Sequence, residues 1–157
     1  VTTVSIHERT EIVSAHGIRI HSDITFQEVA DFQKFDMIFL PGGGKGTDNL
    51  EADERVKKVI RSFFDGEKKI AAICAAPRIL GGMGLLKDRR ATSYPTVMDL
   101  LRGAVVTENP VETDGNITTS RGVGTAVDMG LELIRILCGL DKAEEVRESI
   151  VYRKKIN

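Results

Sequence analysis

The chain has 157 residues, with 22 Lys and Arg against 23 Asp and Glu, so its near-zero net charge offers neither a basic footprint for nucleic acid nor an acidic tail. A composition of 41% hydrophobic and 29% charged residues is that of an ordinary globular protein, long enough for a single domain over residues 1–157 with a sizeable core. No apolar run approaches the roughly 18 residues that cross a membrane, no charged-then-apolar leader is visible, and two cysteines are too few for a disulfide framework, so a reducing cytoplasm is the expected setting.

Residues 1–6 are β-branched and open the sequence inside a strand, with no turn, cap or methionine before it. Residues 11–14 and 18–21 read as short extended pieces. Asp23-Ile24-Thr25 can begin a brief helix or turn carrying Phe26 and Val29. Residues 35–40 read as a buried strand that runs into Pro41-Gly42-Gly43-Gly44-Lys45-Gly46. Glycines there let backbone N–H groups approach a ligand, or form a plain flexible loop. The GxxxxGK[ST] spacing of a phosphate loop is absent. Residues 52–65 give the clearest helix: Val56, Val59, Ile60, Phe63 and Phe64 share one face, and Gly66 stops it.

The stretch Ile70-Ala71-Ala72-Ile73-Cys74-Ala75-Ala76-Pro77 organises the rest. An apolar run reads as a strand buried on both faces, and Pro77 suits the first turn of a helix reaching about Gly82. Cys74 then sits at a strand-to-helix elbow, where a helix N-terminus favours thiolate over thiol. The alternative is a small buried hydrophobe. Sites in open parallel sheets lie beyond the carboxyl ends of the strands, so the N–H groups of Gly43 and Ala75, with Gly42 beside them, can converge on an oxyanion next to the sulfur.

Farther on, residues 91–94 read as a strand stopped by Pro95, and residues 96–101 as helical. Asp114-Gly115 between β-branched residues predicts a hairpin over 111–119. Residues 120–125 form a loop, and Thr125 with Asp128 has the spacing of a capping box. The following helix is expected to bury Val127, Gly130, Leu131, Ile134, Leu137 and Cys138, making Cys138 a core residue. Gly139 stops it, and Asp141 with Glu144 is expected to cap the next helix. Residues 151–157 are left as an edge strand or a tail. His7, His16 and His21 share no ligand spacing and neither cysteine has a near partner, so no metal and no cofactor are expected. Alternating strands and helices predict an α/β domain with a mainly parallel central sheet, an added β-hairpin and helices on both faces.

Three of these stretches together resemble the signatures of the ThiJ/PfpI superfamily: Leu40-Pro41-Gly42-Gly43, then 71–77, then Thr119-Ser120-Arg121-Gly122-Val123-Gly124-Thr125. The nearest branch is that of the Parkinson-disease-associated deglycase and its bacterial homologues, which the segment 108–115 also resembles. The resemblance implies a flavodoxin-like sandwich, a homodimer with its cysteine near the interface, and a thiolate readily oxidised to sulfinate. The implied activities are glyoxalase chemistry without glutathione, deglycation of early adducts of small aldehydes, and redox-responsive chaperoning under oxidative stress. Cys74 is then the nucleophile, with Gly43 and Ala75 as oxyanion donors and His16 and Arg121 as flanking groups. Protease-like members carry histidine directly after the cysteine; Ala75 stands there, which disfavours peptidase and amidotransferase chemistry. A histidine that the branch often carries before the hairpin is replaced near Gly103. The resemblance also implies a preceding strand and helix, about 30 residues by the size of a βαβ unit, whose glutamate bonds the cysteine. That segment is expected as a missing or separate part of the same protein.

Overall fold

The two apolar runs on either side of the 52–65 helix pair side by side, as buried parallel strands must. The computed structural model describes residues 1–14 and 16–153. In it β5 (Met37–Leu40) lies parallel to β6 (Lys69–Ile73), with Leu40 opposite Ala72. β6 in turn runs parallel to β10 (Ile117–Ser120), which is antiparallel to β9 (Val111–Asp114) across the Asp114-Gly115 turn. The sheet order is β5-β6-β10-β9. Gly115 takes φ 63°, which a tight hairpin turn requires and glycine adopts without strain.

Period-two alternation sends the two faces of this sheet to different partners. Ile70, Ala72 and Ile117 join Val56, Ile60 and Phe63 of α2 (Glu54–Asp65), and Ile79 and Leu80 of α3 (Pro77–Gly82), in one buried cluster. On the other face Thr118 meets Thr113, whose hydroxyl donates to Glu132 of α4 (Ala126–Cys138) at 3.0 Å. Helices therefore cover both faces, and the architecture is a flavodoxin-like α/β sandwich. Short strand pairs from the first 25 residues lie outside the main sheet: β1 (Val4–Ser5) runs parallel to β4 (Ile24–Thr25), and β2 (Glu11–Val13) pairs with β3 (Arg19–His21) as a hairpin. Residues 24–25, expected to begin a helix or turn, are strand β4, and the turn follows as a single 3-10 turn over residues 26–28.

Several expectations change. Residues 44–46 of the expected glycine loop are not loop: they open α1 (Gly44–Ala52), which forms despite its two glycines because Arg78 of α3 binds both Asp48 and Glu51 on its surface. The strand at 91–94 shrinks to β7 (Arg90–Ala91), which pairs with β8 (Val105–Val106), a strand too short to show periodicity. Residues 95–100 coil as a 3-10 helix. α4 presents a different face from the expected one. Met129 and Leu131 are buried, whereas Val127 and Leu137 are 43% and 48% exposed and Cys138 is exposed. The helix is apolar around most of its circumference, so spacing alone does not choose which stripe meets the sheet. Cys138 is thus not a core residue. The capping box at Thr125 does not form: its hydroxyl accepts from Gly122 N–H instead. α5 (Leu140–Ser149) starts on Gly139 at φ 91° with no side-chain cap, and Glu144 pairs with Arg147. Residues 151–153 are turn and irregular chain; the rest of the 151–157 stretch lies outside the described residues.

Candidate active site

Three loops leave the carboxyl ends of the parallel strands β5, β6 and β10 side by side, which is where such a sheet places a site. They are the three motif stretches: Pro41-Gly42-Gly43 after β5, Cys74-Ala75-Ala76 after β6, and Arg121-Gly122-Val123 after β10.

Cys74 is half-buried and takes φ 63°, a left-handed backbone that costs a non-glycine residue about 1–2 kcal/mol. The surroundings hold it there. Its N–H donates to Ser120 O and its carbonyl accepts from Tyr94 N–H, both at 2.9 Å, while Ala76 N–H closes the turn on Ile73 O at 3.1 Å. Pro77 opens α3, as the missing N–H of proline allows at a first helical turn.

Gly42 is pressed against this elbow. A Cβ built on it would lie 2.5 Å from Cys74 Cβ, 2.9 Å from Ile73 O and 3.3 Å from the sulfur, so only glycine fits. Gly43 has free space around it; its φ of 92° is what favours glycine there. Its carbonyl accepts from Thr47 N–H at 2.9 Å and starts α1. Among the described residues, neither Gly43 N–H nor Ala75 N–H makes a hydrogen bond.

The third loop is locked by hydroxyls. Ser120 Oγ donates to Pro110 O at 2.8 Å and lies 2.7 Å from Thr125 Oγ1, which accepts from Gly122 N–H at 3.0 Å. Gly122 stands 3.9 Å from the sulfur, measured from the position a Cβ would take, and 3.6 Å from the ring of Tyr94. Arg121 turns away to Glu108, bonding its carbonyl at 2.9 Å and its carboxylate at 3.3 Å. Arg78, one turn beyond Cys74, binds Asp48 and Glu51 and ties α1 to α3; these bonds hold its guanidinium firmly charged.

His16 is exposed in the turn between β2 and β3, and no hydrogen bond joins it to Cys74. Gly103 packs on Lys87, not on the cysteine. The residue beside the sulfur that sequence reasoning passed over is Tyr94. Its one signal was its place before Pro95, at the end of a stretch expected to run along the sheet. Among the described residues no imidazole or carboxylate hydrogen-bonds the Cys74 sulfur, and no group of three His, Cys, Asp or Glu side chains is placed to hold a metal ion. No described helix is long and apolar enough to cross a membrane.

The profile of the DJ-1/PfpI family matches residues 1–136. The chain belongs to the DJ-1/PfpI family. Protein DJ-1 homolog A of Arabidopsis thaliana is 35% identical over 156 residues, which cover 98% of this chain and 40% of that protein. Protein dj-1beta of Drosophila melanogaster is 33% identical over 153 residues, covering 96% of this chain and 81% of that one. The chain therefore spans about two fifths of the length of the Arabidopsis relative. A DJ-1 superfamily protein from Salmonella typhimurium, solved as a cysteine-to-alanine mutant, superimposes with a TM-score of 0.88 at 32% identity, over 98% of this chain and 83% of that one. Within the DJ-1/PfpI family, the sandwich is thus shared with a protein about a third identical.

Proposed function

We propose that this chain carries the active centre of a cysteine-dependent enzyme of glyoxalase or deglycase type, acting on small 2-oxoaldehydes or on their early protein adducts. The observation that carries this reading is the Cys74 elbow. A residue held at φ 63°, with a glycine packed on its sulfur, is strained structure kept at a point where three strand ends meet.

In the proposed reaction the Cys74 thiolate adds to the aldehyde carbon. A C–S bond forms, the C=O π pair moves to oxygen, and the unbonded N–H groups of Gly43 and Ala75 are the donors for that oxyanion. Protonation gives a hemithioacetal. Moving the proton from the former aldehyde carbon to the neighbouring carbonyl carbon, with the electrons rearranging through an enediol, turns it into a thioester. Water then cleaves the C–S bond, releasing a 2-hydroxy acid and the thiol. With a hemiaminal adduct as substrate, the thiolate attacks the carbinol carbon instead: a C–S bond forms, the C–N bond breaks, the repaired amine leaves with its electron pair and takes up a proton, and the same hemithioacetal results. The site is placed near the interface of a homodimer in this reading.

That no acid or base among the described residues bonds the sulfur favours a second reading. In it Cys74 is a redox sensor whose oxidation to sulfinate adds charge and alters chaperone-like partner binding. Turnover separates the two. Incubation of the full protein with methylglyoxal should give lactate, and Cys74→Ser should abolish it, as followed by NMR. No lactate from the wild type, together with peroxide-dependent partner binding, would leave the sensor reading in place.

A further inference from the structure

Gly122 leaves room for a carbon atom between the sulfur and a tyrosine ring. The point where its side chain would begin lies 3.9 Å from Cys74 Sγ and 3.6 Å from Cδ2 of Tyr94, so sulfur and ring edge bound the same space. Both distances are ordinary van der Waals contact, so the space would accept a carbon atom without a clash. Gly122 sits at φ 161°, extended backbone open to any residue, so its lack of a side chain is not imposed by conformation. Gly122 N–H is tied to Thr125, which fixes the floor of this space.

Tyr94 is held by its backbone and free at its ring. Its N–H bonds Cys74 O at 2.9 Å and its carbonyl accepts from Val97 N–H at 3.0 Å, while the side chain is 47% exposed. A half-exposed aromatic ring next to a nucleophile offers a flat apolar wall and little else. The guanidiniums nearest along the chain are committed elsewhere: Arg78 to Asp48 and Glu51, Arg121 to Glu108.

We propose that the space bounded by Cys74, Gly122 and Tyr94 receives the substituent next to the reacting carbon, and that the Tyr94 ring selects flat, apolar substituents over anionic ones. The preferred substrate class is then aryl 2-oxoaldehydes, ahead of methylglyoxal and far ahead of glyoxylate. This inference rests on the enzyme reading of Cys74 and makes it more specific. Tyr94 acts through its ring, so its hydroxyl is dispensable.

The test uses thiol alkylation, which needs no turnover, and Cys138 serves as the reference within each molecule because it is exposed. Alkylation forms a C–S bond and expels iodide. The rates of 2-iodo-N-phenylacetamide and iodoacetamide are measured at each cysteine by peptide mass spectrometry on the full protein. The phenyl preference at Cys74 should exceed that at Cys138 by about three- to tenfold, the worth of one aromatic contact. Tyr94→Phe should keep the excess and Tyr94→Ala should lose it. Gly122→Ala, which places a methyl in the space, should also lose it. Equal preferences at both cysteines, or an excess that survives both alanine variants, would overturn the proposal. Aldehyde turnover is scored separately: its absence would sink the enzyme reading, while the alkylation ratios would still decide whether the Tyr94 wall exists.

Discussion

The two cysteines of this chain sit in opposite kinds of place. Cys74 is half-buried at a left-handed elbow, clamped by backbone bonds to Ser120 and Tyr94 and faced by two glycine-bearing loops. Cys138 is exposed at the last turn of α4, just before Gly139, with ordinary helical backbone. Access alone would single out Cys138. What distinguishes Cys74 is that its surroundings hold it in a costly conformation, and that cost is sustained only by dense packing. The lesson is that a candidate nucleophile is recognised by what constrains it, more than by what can reach it.

The most severe way to break the contrast is Gly42→Ala. The added methyl would overlap Cys74 Cβ and Ile73 O. The elbow must shift, and a displacement of about 1 Å at a reacting atom costs on the order of 100-fold in rate. The same overpacking should destabilise the fold by about 1–3 kcal/mol in urea titration. Alkylation of Cys138 should not change. A Gly42→Ala protein with normal Cys74 reactivity would show that the close approach is not what shapes the site.

Removing the clamp behind the elbow should have a smaller effect. Arg78 joins α1, and with it the Gly42-Gly43 loop, to the helix that follows Cys74. Arg78→Ala leaves Asp48 and Glu51 facing each other without a counter-charge. Aldehyde turnover should fall several-fold, and part-exposed ion pairs of this kind contribute about 0.5–1 kcal/mol to stability. Arg78→Lys should restore part of the rate at low salt only, because a single ammonium cannot reproduce the two-pronged geometry. Unchanged turnover in Arg78→Ala would assign Arg78 to the surface alone.

Backbone strain gives a test in which the two cysteines respond with opposite signs. At position 74 glycine relieves the left-handed backbone, so Cys74→Gly should be about 0.5–1 kcal/mol more stable than Cys74→Ala. At position 138 the backbone is helical, so Cys138→Gly should be less stable than Cys138→Ala by about the same amount. Paired urea titrations of the four variants decide it, and the same sign at both positions would mean that the elbow is not strained.

The smallest expected effect concerns the α4 layer that carries Cys138. The Arg135 guanidinium, helped by the Thr113 hydroxyl, holds the Glu132 carboxyl below the usual carboxylate range. A carboxyl lowered by folding adds stability above its unfolded pKa and loses that contribution as pH falls through its folded value. Acidification from pH 7 through the carboxylate range should therefore lower the urea midpoint of the wild type more than that of Glu132→Gln. Equal pH slopes would remove Glu132 from the acid response.

Much of the framework was legible without coordinates. Parallel strands at β5 and β6 follow from unbroken apolar runs ended by Pro41-Gly42 and by Cys74-Ala75, but only β6 is buried as expected: β5 lies at the edge of its sheet and leaves Phe39 46% exposed. The amphipathic α2 and the Asp114-Gly115 hairpin follow from periodicity and turn chemistry, which are local properties of the chain. So does the position of Cys74 at an elbow, because Pro77 announces the helix after it. The tertiary structure alone decided which side chains meet. α4 is apolar on more than one side, so only docking against the Thr113 and Thr118 face could bury Met129 and Leu131 and leave Cys138 in solvent. α1 forms where two glycines argue against a helix, because a guanidinium 27 residues from Glu51 in sequence holds its surface. The Tyr94 ring and the Cys74 sulfur both border Gly122 because β6 and β10 bring Cys74 and Gly122 to the same end of the sheet, a proximity across nearly fifty residues that no local pattern encodes.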